Sequence, residues 1–226
     1  MHKNVKNLID LTTEVKEKIN TIGKKNYEPK IIAVSKTFSL ESINPLIDYG
    51  HIHFGENKVQ EATQKWLNLK GVNKSIKLHM LGKLQTNKVK QAVAIFDYIH
   101  SVDSIKLATK IANEQIRQNR SLKIFLQINI GEESQKSGVL LNEVNQLAAE
   151  CKTLSLDVVG LMCLPPISTD VSKYFSLIKE KNDELKFNEL SLGMSSDYLE
   201  AIEFNTTFIR VGTKILSYWL HKYAKG

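Results

Sequence analysis

The stretch Ile31-Ile32-Ala33-Val34-Ser35-Lys36-Thr37 decides how the chain is read. A short apolar run that stops at polar residues is the pattern of a strand buried in a parallel sheet. Ser39-Leu40-Glu41-Ser42 then opens a helix. Strand followed by helix is the unit from which parallel sheets are built. Lys36 therefore stands where a buried strand runs out, and no acidic residue lies within four positions of it. A lysine at such a place is ordinarily a solvated charge whose stem lies along apolar surface. Partly withdrawn from water, the same amine becomes a nucleophile able to form a Schiff base.

Working outward, the strand-helix rhythm repeats. Val5–Ile22 reads as a leading helix, with Val5, Leu8, Ile9, Leu11, Val15 and Ile19 at helical spacing and Gly23 as its stop. Strand Lys30–Ser35 is followed by helix Leu40–Tyr49, and Ile52–Gly55 by Val59–Leu69. Lys77–Leu81 precedes helix Lys88–Asp97. Tyr98–Val102 precedes Asp103–Gln118, with Asp103 as its expected N-cap. The most strongly apolar strand, Lys123–Ile130, precedes helix Val139–Cys151, and Asp157–Leu164 precedes Val171–Leu185. Leu190–Met194 with Ser196–Ile202, and Phe208–Val211 with Lys214–Tyr223, complete the series. Some eight such units predict an α/β fold, a single (β/α)8 TIM-type barrel with an extra N-terminal helix. The alternative, an open doubly wound sheet, ordinarily has a glycine-rich first turn; here that turn is Lys36-Thr37-Phe38-Ser39. No linker divides the chain, so residues 1–226 are read as one domain, with residues 1–23 packing on the barrel.

Composition narrows the class. Hydrophobic residues make up 42% of the 226, enough for a sizeable core. No apolar run approaches the roughly 18 residues of a membrane span, and Met1-His2-Lys3-Asn4-Val5 lacks a secretory apolar region. The two cysteines, Cys151 and Cys163, are too few for a disulfide framework or a zinc site, which fits a reduced cytoplasmic protein. The net charge of +7 is spread along the chain without a dense basic run, so no nucleic-acid surface is expected. His51 and His53 flank a strand without a third ligand, so no metal site is expected either.

Barrel sites lie at the carboxyl ends of the strands, and those ends are polar here: Lys36, Gly55-Glu56-Asn57, Gly82-Lys83, Gln127 and Asn129, Ser195-Ser196, and Arg210 with Gly212-Thr213. The loops after the last two strands suit a phosphate, because helix starts offer backbone N–H groups and Ser and Thr add hydroxyls. Plain helix capping by Asp197 and Glu200 explains one of them equally well. In a closed barrel strand 8 pairs with strand 1. Period-2 alternation then puts Ile32, Val34 and Lys36 on one face, and Phe208, Arg210 and Gly212 on another. If both faces point inward, an amine, a cation and a phosphate cradle share one mouth, which describes a pyridoxal phosphate pocket. Arg210 also reads as a structural ion-pair residue, and Glu56 as facing either the mouth or an outer ion pair. Met162 and Met194 read as core or as ring contacts, and Cys163 as a buried inert thiol.

Seven stretches, in this order and spacing, resemble one known family: "AVSKT" at 33–37, "FGENKVQEA" at 54–62, "HMLGKLQTNK" at 79–88, "QINIGEESQKSG" at 127–138, "GLMCLPP" at 160–166, "LSLGMSSDYLEAI" at 190–202 and "IRVGTKI" at 209–215. The family is that of the pyridoxal phosphate homeostasis proteins, of the YggS/proline synthase co-transcribed type. The resemblance implies a barrel like the N-terminal domain of alanine racemase and a bound pyridoxal 5'-phosphate. It implies Lys36 as the Schiff-base lysine, Ser195, Gly212 and Thr213 as the phosphate holders, Arg210 facing the pyridine nitrogen, and Asn57 near the phenolic oxygen. An arginine there leaves the ring nitrogen mostly unprotonated, a weak electron sink. The chain departs from the family at Leu78, where an aromatic is frequent, and at Lys214 and Ser217, which replace alanine and glycine beside the phosphate loop.

The function expected is a cytoplasmic carrier that holds the cofactor on Lys36, buffers it and passes it transiently to apoenzymes, as a monomer and without catalytic residues of its own. The alternative is a racemase-like enzyme. That would need an acid/base group on each face of the cofactor. The racemase architecture draws its second group, a tyrosine, from a partner subunit and includes a C-terminal β-domain, which is not expected here because the barrel reading uses all 226 residues. Tyr198 and Tyr218 read as helix residues.

Overall fold

The structure, a computed structural model, describes residues 1–166 and 170–216. Eight strands run in chain order: β1 (Lys30–Val34), β2 (His53–Glu56), β3 (Lys77–Met80), β4 (Tyr98–Val102), β5 (Lys123–Ile128), β6 (Asp157–Cys163), β7 (Glu189–Ser191) and β8 (Phe208–Val211). Each pairs in parallel with the next, and β8 closes on β1, with Ile32 opposite Arg210 and Ala33 opposite Val211. The predicted closed barrel is the observed one.

The helices are α1 (Lys3–Thr21), α2 (Leu40–Asp48), α3 (Val59–Val72), α4 (Val89–Ile95), α5 (Ile105–Gln118), α6 (Val144–Thr153), α7 (Ser172–Glu184) and α8 (Tyr198–Glu203). They form because their apolar residues recur at helical spacing and bury against the sheet's outer face. In α1 the buried stripe is Val5, Leu8, Leu11, Val15 and Ile19, and the helix packs beside α2 and α8. Asn4 pins it to the Ser42 carbonyl at 2.8 Å and Asn7 to the Ile215 carbonyl at 3.0 Å. No described helix is long and apolar enough to cross a membrane.

Inside the barrel a second apolar cluster gathers Ile32, Tyr98, Phe125, Met162 and Phe208. Imidazoles join it: His79 stacks on Tyr98 with centroids 4.2 Å apart, and His100 on Phe125 at 4.3 Å. Ile32, Phe208 and Arg210 thus face inward; the alternation puts Phe208 and Arg210 on one face and leaves its direction open. Met162 belongs to this core.

Several boundaries moved, each for a local reason. The N-cap of α5 is Ser104, not Asp103; its hydroxyl accepts from the Leu107 N–H at 3.4 Å. β5 stops at Ile128 rather than Ile130, because the Asn129 side chain folds the next loop back onto Glu133. Val139 does not open a helix. It bridges Ile128, donating to the Gln127 carbonyl and accepting from the Asn129 N–H, both at 2.9 Å, so α6 starts at Val144. Ser217, Tyr218 and most of the predicted helix Lys214–Tyr223 lie outside the described residues.

Candidate cofactor site

β1 delivers Ser35 buried and Lys36 exposed at the carboxyl-end mouth. The Ser35 carbonyl accepts from the Phe38 N–H at 3.1 Å, so Lys36 and Thr37 form the corner of a turn. Asn57 follows β2, half-buried, with its carbonyl packed so tightly on Gly82 that a Cβ there would lie 2.3 Å from it. The loops after β2 and β3 therefore form one wall.

The loop after β7 meets the end of β8. Arg210 donates its N–H to the Gly193 carbonyl at 2.9 Å, which brings residues 193–196 beside 210–213. Gly193 has φ +85°, and a Cβ on it would lie 2.8 Å from Tyr198 Cα, so only glycine lets α8 approach this closely. The predicted capping box is absent: the Asp197 carboxylate turns back to the Met194 N–H at 2.6 Å. Ser195 and Gly212 are half-buried, and Ser196 and Thr213 are exposed. The Gly212 carbonyl accepts from the N–H groups of Ile215 and Leu216, so a helical turn starts there. The first N–H groups of such a turn have no carbonyl of their own and favour anions. Lys214 does not point at that turn; its ammonium lies 2.9 Å from the Tyr198 hydroxyl and 3.7 Å from Glu14.

Arg210 is buried, and no carboxylate pairs with it among the described residues. It donates to the Ser191 carbonyl at 2.6 Å, the Ser191 hydroxyl at 2.7 Å and the Cys163 carbonyl at 2.9 Å. A guanidinium has five N–H donors, so two remain without a partner among the described residues. The structural ion pair considered for Arg210 is therefore not what the fold builds. Burial lowers its pKa, and Cys163 and Asp197 oppose that. The Cys163 thiol is pushed up to about 12 by burial, an inert group.

Sequence reasoning missed what lies beneath Arg210. His53 Nδ1 is 3.0 Å from His79 Nε2, His79 Nδ1 is 2.9 Å from His100 Nε2, and His100 Nδ1 is 2.9 Å from the Ser191 hydroxyl. A string of imidazoles from β2, β3 and β4 thus climbs the barrel to Ser191 on β7 and Arg210 on β8. Hydrogen-bond direction follows from its top. Arginine only donates, so Ser191 accepts from it and gives its own proton to His100 Nδ1. His100 and His79 then donate through Nε2 down the string. In the reverse direction the serine proton has no partner among the described residues. Burial lowers the pKa of all three, His53 to about 4 and His79 and His100 well below the usual value, so the string is neutral. The signal available in sequence was an inward-facing His in each of three consecutive strands.

Glu56 resolves to the outer choice. It is fully buried, and its Oε1 accepts at 2.8 Å from each of Ser35 Oγ, Lys65 Nζ and Trp66 Nε1. A groove of about 580 Å3 lies at the opposite, amino-terminal end, lined by Lys30, His51 and His53 among others. It holds none of the predicted site residues, which lie at the carboxyl ends of β1, β2, β7 and β8.

These donors fit a phosphorylated pyridine aldehyde: an exposed amine, a buried cation with N–H groups unspent among the described residues, and a helical start flanked by hydroxyls. Residues 9–218 match the family described as alanine racemase, N-terminal domain. The chain is 32% identical over 219 residues to the pyridoxal phosphate homeostasis protein of Escherichia coli strain K12, covering 92% of this chain and 94% of that one. Among solved structures, PipY of Synechococcus elongatus PCC7942, determined with pyridoxal phosphate bound, superimposes with a TM-score of 0.75. It is 32% identical, with 90% of this chain and 100% of that one covered. Alanine racemase of Clostridium difficile 630 shares the fold at 15% identity and a TM-score of 0.67, with 57% of its length covered. The chain belongs to the alanine racemase N-terminal domain family, alongside the relatives named pyridoxal phosphate homeostasis proteins.

Proposed function

We infer that this protein binds pyridoxal phosphate at the carboxyl-end mouth and serves its homeostasis, holding the cofactor and releasing it to apoenzymes. The observation that carries the reading is Arg210, a buried cation that among the described residues pairs with no carboxylate and leaves two N–H groups unspent, beside a helical start. Lys36 supplies the covalent anchor. Ser195, Gly212 and Thr213 hold the phosphate, Arg210 donates toward the ring nitrogen, and Asn57 stands at the phenolic side. When bound, the cofactor supplies an aldehyde carbon to which an amine joins with loss of water.

Three of the described tyrosines are already engaged, which supports holding over turnover. A racemase-like reaction needs a second acid/base group facing Lys36. Tyr198 is engaged by Glu14 and Lys214, Tyr98 lies in the barrel core, and Tyr27 donates to the Thr206 carbonyl. A cytoplasmic, monomeric carrier is part of this reading.

The test is spectroscopic. Protein mixed with pyridoxal phosphate should turn yellow, and borohydride should fix the adduct on Lys36, as read by peptide mass. Lys36→Ala should lose both. A wild-type protein that takes up no cofactor, or a Lys36→Ala variant that binds it as wild type does, rejects the assignment. For delivery, loaded protein should reactivate a pyridoxal phosphate apoenzyme faster than the same concentration of free cofactor.

A further inference from the structure

The backbone around Lys36 is held from both sides by one helix. The carbonyl of Ser35, the residue before it, accepts from Lys65 Nζ at 2.8 Å. The N–H of Thr37, the residue after it, donates to Glu61 Oε1 at 2.5 Å. Glu61 and Lys65 are one turn apart on α3 and pair with each other at 3.7 Å. Lys65 is also 2.8 Å from the buried Glu56 carboxylate, which holds the Ser35 hydroxyl at the same distance. Three charged side chains thus converge on the two residues that flank Lys36, with the Lys65 side chain only 9% exposed.

The turn they hold is strained. Thr37 has φ +64°, in the left-handed region. A β-branched residue is a genuine outlier there, and turns of this kind ordinarily place Gly or Asn at that position. Such a conformation persists only where its surroundings impose it, and strain of this sort gathers at ligand sites. The Glu61 contact to the Thr37 N–H and the Lys65 contact to the Ser35 carbonyl hold it from α3, beside the turn's own bond from the Phe38 N–H to the Ser35 carbonyl.

The geometry points to Glu61 and Lys65 as positioning residues for Lys36. They fix the strained corner that carries its side chain, so the amine is presented to the mouth in advance of the cofactor. This rests on the reading of Lys36 as the covalent anchor. Neither residue touches the cofactor in this scheme; both act through the peptide groups of Ser35 and Thr37.

The experiment uses the full chain and pyridoxal phosphate itself. The rate of adduct formation is followed by absorbance, and the modified lysine is identified after borohydride reduction. Glu61→Ala should slow adduct formation about tenfold, the scale of a strained backbone residue released from its support. Glu61→Gln, whose amide oxygen still accepts the Thr37 N–H, should restore most of the rate. In both variants the trapped adduct should remain on Lys36. Lys65→Met should also slow the reaction; should it fail to fold because Glu56 loses its partner, the Glu61 pair decides alone. The thermal midpoint, measured in parallel, separates positioning from stability, because a merely structural role lowers the midpoint without changing the rate well below it. Adduct formation at the wild-type rate in Glu61→Ala, or no rescue by Glu61→Gln, overturns the assignment. If Lys36→Ala forms the adduct as wild type does, the anchor reading fails instead, which is a distinguishable result.

Discussion

At the scale of the residue, the sequence marked the charged groups but not their partners. Lys36 has no acidic neighbour within four positions, yet the fold brings the Glu56 and Glu61 carboxylates to its two flanking residues. Ser191 is an interior residue of the expected strand Leu190–Met194, yet its hydroxyl joins Arg210 to the imidazole string. Removing that hydroxyl in Ser191→Ala takes one acceptor from a buried guanidinium and one donor from His100. A buried polar group left unpaired costs about 1–3 kcal/mol. Urea unfolding of Ser191→Ala should show a loss in that range at unchanged denaturant slope. The wild-type string should hold its histidines as Nε2–H tautomers, readable from nitrogen-15 NMR couplings. Nδ1–H tautomers at His79 and His100 would contradict the direction derived from Arg210.

At the scale of the element, starts were more legible than ends. β4 and β8 coincide with their predicted spans, β4 between Asp97 and Asp103 and β8 between Thr207 and Gly212. β5, β7 and α6 were read too long at the mouth, where the Asn129 side chain turns the loop back on Glu133, Val139 bridges Ile128, and the Leu192 N–H is shared between the Phe208 carbonyl and the Thr206 hydroxyl. The mouth is where the fold spends regular structure on loops that carry the site. Sheet registry also sets a demand invisible in a lone strand: a Cβ on Gly160 in β6 would stand 1.8 Å from the Glu189 carbonyl of β7. Gly160→Ala must therefore push β7 away from β6. Overpacking of this severity costs about 3 kcal/mol or more, measurable as a fall in the thermal midpoint and as faster hydrogen exchange along β7.

At the scale of the whole molecule, the barrel interior is a column of neutral, buried titratable groups, and this fixes an acid sensitivity. His53 is held at about 4 against an ordinary 6.5, chiefly by burial, with His51, Lys30 and Lys77 adding repulsion and Asp97 opposing it. A pKa lowered on folding means that protons favour the unfolded chain. The contribution is complete above pH 6.5 and is lost as pH falls from 6.5 toward 4. His53→Gln, which cannot titrate, should show a shallower loss of unfolding free energy across that interval, as read from urea titrations at successive pH values. An unchanged slope would mean that His53 keeps its ordinary pKa in the folded state. The closed barrel, and the shared faces of Ile32 with Val34 in β1 and of Phe208 with Arg210 in β8, were legible in the chain itself, and the mouth was expected to hold the site. Those follow from hydrophobic periodicity and strand count, which are local properties of the chain. Only the tertiary structure decided that Glu56 faces outward to Lys65, that Lys214 turns to Tyr198 and Glu14, that three histidines join beneath Arg210, and that α3 grips the corner carrying Lys36. These are contacts between residues far apart in sequence, made by closing the sheet and packing helices upon it, and no local pattern encodes which side chains that closure brings within hydrogen-bond reach.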